Sequence, residues 1–173
     1  MKFKKPKFWD YKKPNILSYL LLPFTLPVII NNFFLKFKKV NTDHQKTKTI
    51  CIGNIYIGGT AKTPLTIKIV KILENLNFKT ATIKKFYPSH TDEQKMLAEK
   101  TRLYCFKNRK NGLKEAVKDK INIAVFDDGL QDRSIDYDLK FVCFNNMKWI
   151  GNSFLIPAGP LREKIESIKK YDA

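Results

Sequence analysis

Two groups of residues have the types and spacing to act on phosphate. In the first, Gly58-Gly59-Thr60-Ala61-Lys62-Thr63 follows an apolar, strand-like run and leads into a helix-like one, the setting that a phosphate-binding loop requires. Glycines let the backbone curl so that its N–H groups face phosphate oxygens, and a helix N-terminus adds partial positive charge. Lys62 would reach the β and γ phosphates, and the Thr63 hydroxyl would be a Mg2+ ligand, so the candidate nucleotide-binding set is Tyr56, Ile57, Gly58, Gly59, Thr60, Ala61, Lys62 and Thr63. Pro64 falls in the first helical turn, where its missing N–H costs nothing. The strict pattern GxxxxGK[ST] is not met, because Ala61 precedes the lysine and Tyr56 holds the leading glycine position. If position 61 needs a positive φ, its Cβ costs about 1 kcal/mol or more. An ordinary glycine-rich turn between strand and helix is the alternative.

The second group is Asp127-Asp128-Gly129, at the end of the run INIAVF. A carboxylate at the C-terminal tip of a buried strand lies beside a phosphate loop and can hold Mg2+ directly or through water, making Asp127 and Asp128 metal-ligand candidates beside Thr63. Asp-Asp-Gly is also common turn chemistry, and only its pairing with the upstream loop favours the metal. Asp92 reads equally well as the acidic start of a short helix capped by Thr91. Cys51, Cys105 and Cys143 lack a CxxC pair and sit in apolar runs, as reduced, buried and inert core residues do. His44 and His90 fit no catalytic pattern and read as surface residues.

These groups need a frame, and the pattern from Thr47 onward supplies one. Strand-like runs TICIGNI, TATIKKF, LYCF, INIAVF and LKFVCF alternate with helix-like stretches from Thr63 to about Leu76, near Asp92 to Lys100, and around Leu113 to Val117. Leu65, Ile69, Ile72 and Leu76 recur at the spacing of one helix face and predict the first of these as a helix. Short apolar strands alternating with helices imply an α/β fold, a parallel sheet covered on both faces. At 173 residues a single core is the working assumption.

The front of the chain differs. Residues 14–35, PNILSYLLLPFTLPVIINNFFL, carry no charge and lie between Lys12-Lys13 and Lys36, with Phe8, Trp9 and Tyr11 just upstream. A helical span needs about 20 apolar residues, but Pro23, Pro27, Asn15, Asn31 and Asn32 weaken a plain span, so a shallow hairpin or an interfacial helix fits better, with a core helix of a soluble domain, covered on all sides, as the alternative. No small-residue cleavage site follows, as a signal peptide would require; the stretch runs into Lys36-Phe37-Lys38-Lys39. The expected division is thus a membrane-associated segment over 1–40 and a P-loop domain over 41–173. Lys plus Arg exceed Asp plus Glu by 33 to 16, which attracts polyanions, although lysine-rich coding bias discounts that charge. Nucleic acid is not the expected partner, since no recognition motif or aromatic platform accompanies the lysines.

Three motifs in order now carry a resemblance. GNIYIGGTAKTP resembles the stretch GNxxVGGTGKTP of tetraacyldisaccharide 4'-kinases, AVFDDGLQD is similar to their DDGLQH, and IGNSFLIPAGPLRE to their GN...LPAGPLRE. PKFWDYKKPNILSYLLLPF also resembles the Pro-x-Phe-Trp opening and membrane-seated helix of that family. The resemblance implies a P-loop NTPase-like sheet with flanking helices behind a membrane-associated helix. It also implies phosphorylation by MgATP of the 4'-hydroxyl of a lipid-linked disaccharide 1-phosphate, in lipid A biosynthesis at the cytoplasmic face of the inner membrane. Thr91-Asp92-Glu93-Gln94 matches the family's Gly-Asp-Glu-Pro, which makes Asp92 the implied general base beside Lys62 in catalysis, and Arg162 and Glu163 in PAGPLRE are implied neighbours of nucleotide and metal.

The departures are Ala61, Asp132 where the family has histidine, IKKFYPSH in place of a Ser-Arg-Gly-Tyr segment, and the end of the sequence at Ala173. Family members continue into a second lobe, so this chain reads as truncated after the first lobe, with a separate polypeptide as one source of the second. A catalytically inactive, membrane-bound nucleotide-binding remnant is the alternative.

Overall fold

A computed structural model describes residues 5–37 and 47–173; His44, Lys38 and Lys39 lie outside the described residues. By contacts the chain forms two compact units. One joins the N-terminal segment to Asn54–Thr60 and Val142–Tyr171, and the other holds β1, Ala61–Phe141 and Asp172–Ala173.

The five strands are β1 (Lys48–Gly53), β2 (Thr80–Lys85), β3 (Leu103–Phe106), β4 (Ile123–Asp127) and β5 (Leu139–Val142), in the sheet order β3-β2-β4-β1-β5. β1 with β4, β2 with β4 and β2 with β3 all pair in parallel, as the strand-helix alternation predicts. Parallel neighbours need crossovers, which α3 (Lys62–Asn75), α4 (Thr91–Lys100) and α5 (Arg109–Lys118) provide. Strand residues Ile52, Ala81, Ile83, Ala124, Val125 and Phe126 are fully buried, and consecutive burial along the central strands takes in Thr49, Thr82, Lys84 and Asp127 as well. Cys51 is buried as expected, but Cys105 and Cys143 are only half-buried.

The face of α3 differs from its apolar periodicity. Thr63, Thr66, Ile67 and Val70 are buried, whereas Ile72 is 48% and Leu76 61% exposed. The helix begins at the candidate loop, and its rotation is set by two threonines whose hydroxyls reach Asp127, not by the residues with the largest side chains. At α4 the N-cap is His90, without a side-chain cap bond, and Thr91 is the first helical residue instead of the cap.

In the other unit, α1 (Ile16–Leu20) and α2 (Leu26–Lys36) are short, separated by a 3-10 turn over Leu22–Thr25 that contains Pro23. Among the described residues no helix is long and apolar enough to cross a membrane. Trp9 anchors the segment: it is buried, its Nε1 donates to Pro157 O at 2.9 Å, and its carbonyl accepts from Asn152 N at 3.1 Å. Tyr56, Leu155 and Leu161 form a small core against which Ile29 of α2 packs.

A charged clasp closes this unit. Lys5 and the Tyr56 hydroxyl both donate to Asp10, and Lys148 Nζ lies 2.9 Å from its other oxygen. Burial pushes the Asp10 carboxyl up, but the hydrogen bonds from Lys5, Tyr56 and Lys148 outweigh it and bring it down to about 2. A group depressed in the folded state contributes stability above its unfolded value, lost as pH falls towards the folded one. The stability difference between the wild-type chain and Asp10→Asn, from denaturation curves, is therefore expected to be at most about 2 kcal/mol near neutrality. It should shrink between about pH 4 and pH 2. A difference independent of pH would assign the clasp no electrostatic part.

Candidate active site

The candidate loop passes from one unit to the other between Thr60 and Ala61. On the first side, Ile57 N donates to Pro160 O at 2.9 Å and Asn145 Nδ2 to Gly59 O at 3.1 Å, while the buried Thr60 hydroxyl accepts from Asn54 Nδ2 at 3.0 Å. Gly58 has φ 150°, and a Cβ there would come within 2.9 Å of the Tyr56 ring. Tyr56 is wholly buried, its phenol pushed up by burial and by Asp10. Arg162 and Glu163 belong to the same unit. Arg162 N donates to Ile55 O at 2.7 Å, its carbonyl accepts from Asn32 Nδ2 at 3.0 Å, and buried Glu163 accepts from the Tyr171 hydroxyl at 3.1 Å.

On the second side, Ala61 takes φ 54°, ψ 27° and is the N-cap of α3, so the position does need a left-handed backbone and the alanine there is strained. Lys62 Nζ lies 3.6 Å from Asp128 Oδ1, and the Thr63 hydroxyl donates to Asp127 Oδ2 at 3.1 Å. Lys62, Thr63, Asp127 and Asp128 are therefore brought together, as their sequence positions predict. Asp128 is itself left-handed, with φ 59°. The turn it starts has no room for a larger residue next: a Cβ on Gly129 would meet Tyr137 Oη at 2.8 Å and Cys51 Sγ at 2.9 Å. Burial pushes the Cys51 thiol far above its usual range, so this cysteine is inert.

Two cations here escape motif reading. Lys84 of β2 stands opposite Asp127 in the β2/β4 register and donates to Asp127 Oδ2 and, at 2.8 Å, to Glu93 Oε2. It is 3% exposed. Burial pulls its ammonium down, but Asp127 and Glu93 outweigh that and leave it above the ordinary lysine value. Arg109, buried at the start of α5, donates to Asp128 O at 2.5 Å and pairs with Asp132 Oδ2 at 3.3 Å. Burial raises the Asp132 carboxyl, but Ser134 and Arg109 hold it below its usual value. A signal for Lys84 existed. In a sheet covered on both faces, the adjacent lysines in TATIKKF point at opposite covered faces, so neither reads as freely solvated.

Asp92, exposed at the second position of α4, adjoins Glu93 and so is tied to this cluster through the Lys84–Glu93 bond. His90 is exposed, 3.7 Å from Glu93.

The residues present fit a Mg2+ ion that arrives with phosphate. Mg2+ takes one or two carboxylates from protein and the rest of its shell from phosphates and waters, and Thr63 with Asp127 offers such a hard-oxygen pair. Among the described residues there is no cluster of three or more His, Cys, Asp and Glu.

A parallel sheet, a strand-to-helix loop ending in Lys-Thr and a carboxylate on the neighbouring strand define a P-loop fold. The sequence model of the tetraacyldisaccharide-1-P 4'-kinase family matches residues 15–173, and the chain belongs to that family. It is 54% identical over 173 residues to the tetraacyldisaccharide 4'-kinase of Pelagibacter ubique and 34% identical over 181 residues to that of Rickettsia canadensis, covering 99% and 94% of this chain. The chain spans about half the length of these relatives, 54% of each. Among solved structures, the "apo" form of LpxK from Aquifex aeolicus in complex with ATP is similar in fold. Its TM-score is 0.73 at 21% identity, and the match covers 91% of this chain and 57% of that one.

The strain at Ala61 gives a direct test. A left-handed alanine costs about 1–2 kcal/mol, and glycine's greater freedom in the unfolded chain takes back about 0.5–1. Ala61→Gly is therefore expected to stabilise by up to about 1 kcal/mol, whereas Ala61→Val should destabilise. A loss of stability on Ala61→Gly, measured by denaturant unfolding, would mean that the loop is not held in this conformation.

Proposed function

We propose that this chain is the nucleotide-binding part of an ATP-dependent tetraacyldisaccharide 4'-kinase of lipid A biosynthesis, acting on a lipid-linked disaccharide 1-phosphate. The observation that carries the proposal is the meeting of Lys62 and Thr63 with Asp127 and Asp128 in a chain of that family. Backbone N–H groups at the start of α3 would face phosphate oxygens and Lys62 would reach the β and γ phosphates. Thr63 and Asp127, with Asp128 beside them, would hold Mg2+, which when bound neutralises charge on the transferred phosphoryl group. Asp92 would accept the proton of the sugar hydroxyl, a job for which its exposed carboxylate is available. One observation favours an inactive nucleotide-binding remnant instead: the left-handed Ala61 strains the loop.

The test separates the two. ATP binding should be lost in Lys62→Ala and tightened in Ala61→Gly. Transfer of labelled phosphate to the tetraacyldisaccharide acceptor would be assayed with the chain alone and with the C-terminal part of the Pelagibacter ubique relative supplied. Asp92→Asn should lower that transfer by about 10²- to 10⁴-fold. Equal ATP affinity in all three loop forms would reject the phosphate site, and binding without transfer under either condition would favour the remnant.

The setting we propose is the cytoplasmic face of the inner membrane. The N-terminal segment has its polarity turned outside in. Ser18 and Thr25 are buried and Asn32 is half-buried, each in a hydrogen bond, while Ile16, Leu20, Phe24, Phe34 and Phe37 are each more than 60% exposed. Apolar side chains outward with a polar seam inward suit an element lying in the lipid interface. The chain should sediment with membranes, and deletion of residues 1–36 should release it. An intact chain fully soluble at low salt without detergent would contradict this.

A further inference from the structure

We propose that Lys84 is the internal counter-ion of the metal site, neutralising Asp127 while no divalent ion is bound and so keeping the site's affinity for the free ion low. This rests on the reading of Thr63 and Asp127 as the metal-holding pair. Asp127 is wholly buried and has both oxygens engaged: Oδ2 accepts from Lys84 and, at 3.1 Å, from Thr63, and Oδ1 accepts from Thr66 at 3.4 Å. A buried carboxylate without a partner is costly, and here the register of β2 against β4 delivers an ammonium directly opposite it. A divalent ion must displace that ammonium from Oδ2. Lys84 has a second partner for such a move, since Glu93 Oε2 lies 2.8 Å from its Nζ and Glu93 is half-exposed at the start of α4. Glu93 is thus the receiving partner, and the uptake of an ion is coupled to the N-terminus of the helix that carries Asp92.

Two substitutions should move the metal affinity in opposite directions. Lys84→Met removes the competitor and leaves Asp127 to be neutralised by the ion, so Mn2+ without nucleotide, followed by electron paramagnetic resonance, should bind about tenfold or more tightly. Glu93→Gln removes the receiving partner and should weaken Mn2+ binding about threefold or more, with little effect on folding because the side chain is half-exposed. Lys84→Arg keeps a cation and should stay near the wild type. In EDTA the melting temperature of Lys84→Met should fall on the order of 10 °C, with most of it restored by Mg2+, while the wild type scarcely responds. If Lys84→Met is unfolded in EDTA, Mn2+ should fold it as seen by circular dichroism. A loss that Mg2+ or Mn2+ leaves unchanged would make Lys84 merely structural and overturn the proposal. Equal Mn2+ affinity in the wild type, Lys84→Met and Glu93→Gln would overturn it as well. ATP binding in EDTA, with Lys62→Ala as control, reports on the nucleotide reading separately.

Discussion

Asp127 ends β4 with its carboxylate shut off from water, and a charge in that position must be met from several sides at once. Thr63 and Thr66 approach from α3 and Lys84 from β2. Each contact fixes something larger than itself. The threonines set the rotation of α3 and, with it, the direction in which the loop presents Lys62. The lysine bonds across the register that pairs Lys84 with Asp127, so a one-residue slip of β2 would bury an unpaired carboxylate and turn an ammonium to the other face. Breaking such a buried pair from one side costs about 3–5 kcal/mol, a large share of the 5–15 kcal/mol that holds a domain together.

The same constraint explains what could be read from the sequence. Strands announced themselves by apolar runs, because both faces of a parallel sheet are covered, and the loop and its facing carboxylates announced themselves by residue type. Periodicity gave the helix α3 but not its buried face, because it counts apolar side chains while the helix is turned by two hydroxyls that carry little hydropathy. For Lys84 the converse holds: the pattern TATIKKF in a covered sheet points to a buried lysine, but only the register of β2 against β4 shows that Asp127 is its partner. Arg109 gave no signal at all in a run of surface-like residues, KNRKNG. The capping role given to Thr91 failed at a boundary, where one residue decides the reading and His90 took the position.

In the N-terminal segment the ordinary rule of burial is reversed, and the reversal is regular. Ser18, Thr25 and Asn32 recur every seven residues along the segment, and each makes a hydrogen bond through its polar side chain. Asn152 Nδ2 meets the Ser18 hydroxyl at 2.9 Å and Asn32 Nδ2 meets Arg162 O at 3.0 Å, so the seam is held by hydrogen bonds to Val142–Tyr171, with apolar packing contributed by Ile29. A segment docked in this way keeps its large apolar side chains free for another apolar phase. Pro23 and Pro27 stand in the first turns of the 3-10 turn and of α2, where a missing N–H costs nothing, so the three polar residues belong to three successive short elements.

Among the described residues of the second unit, Ala61, Asn77, Lys120 and Asp128 hold left-handed backbones without being glycine, and two of these four stand where the chemistry is proposed. These two are Ala61 and Asp128, and the side chains of Lys62 and Asp128 meet between them. Each such residue costs about 1–2 kcal/mol, and neither conformation would persist unless its surroundings over-determined it. For Asp128 those surroundings are visible: its N–H donates to Ile52 O at 2.8 Å, its carbonyl accepts from Arg109 at 2.5 Å, and Gly129 behind it tolerates no Cβ. Ala61 is held by its carbonyl, which accepts the first α-helical bond of α3 from Leu65 N at 3.1 Å, and by the pairing of Lys62 beyond it. The helix that Asp127 orients is therefore also what keeps the strained alanine in place, and the loop's shape is a consequence of the buried carboxylate more than of the loop's own residues.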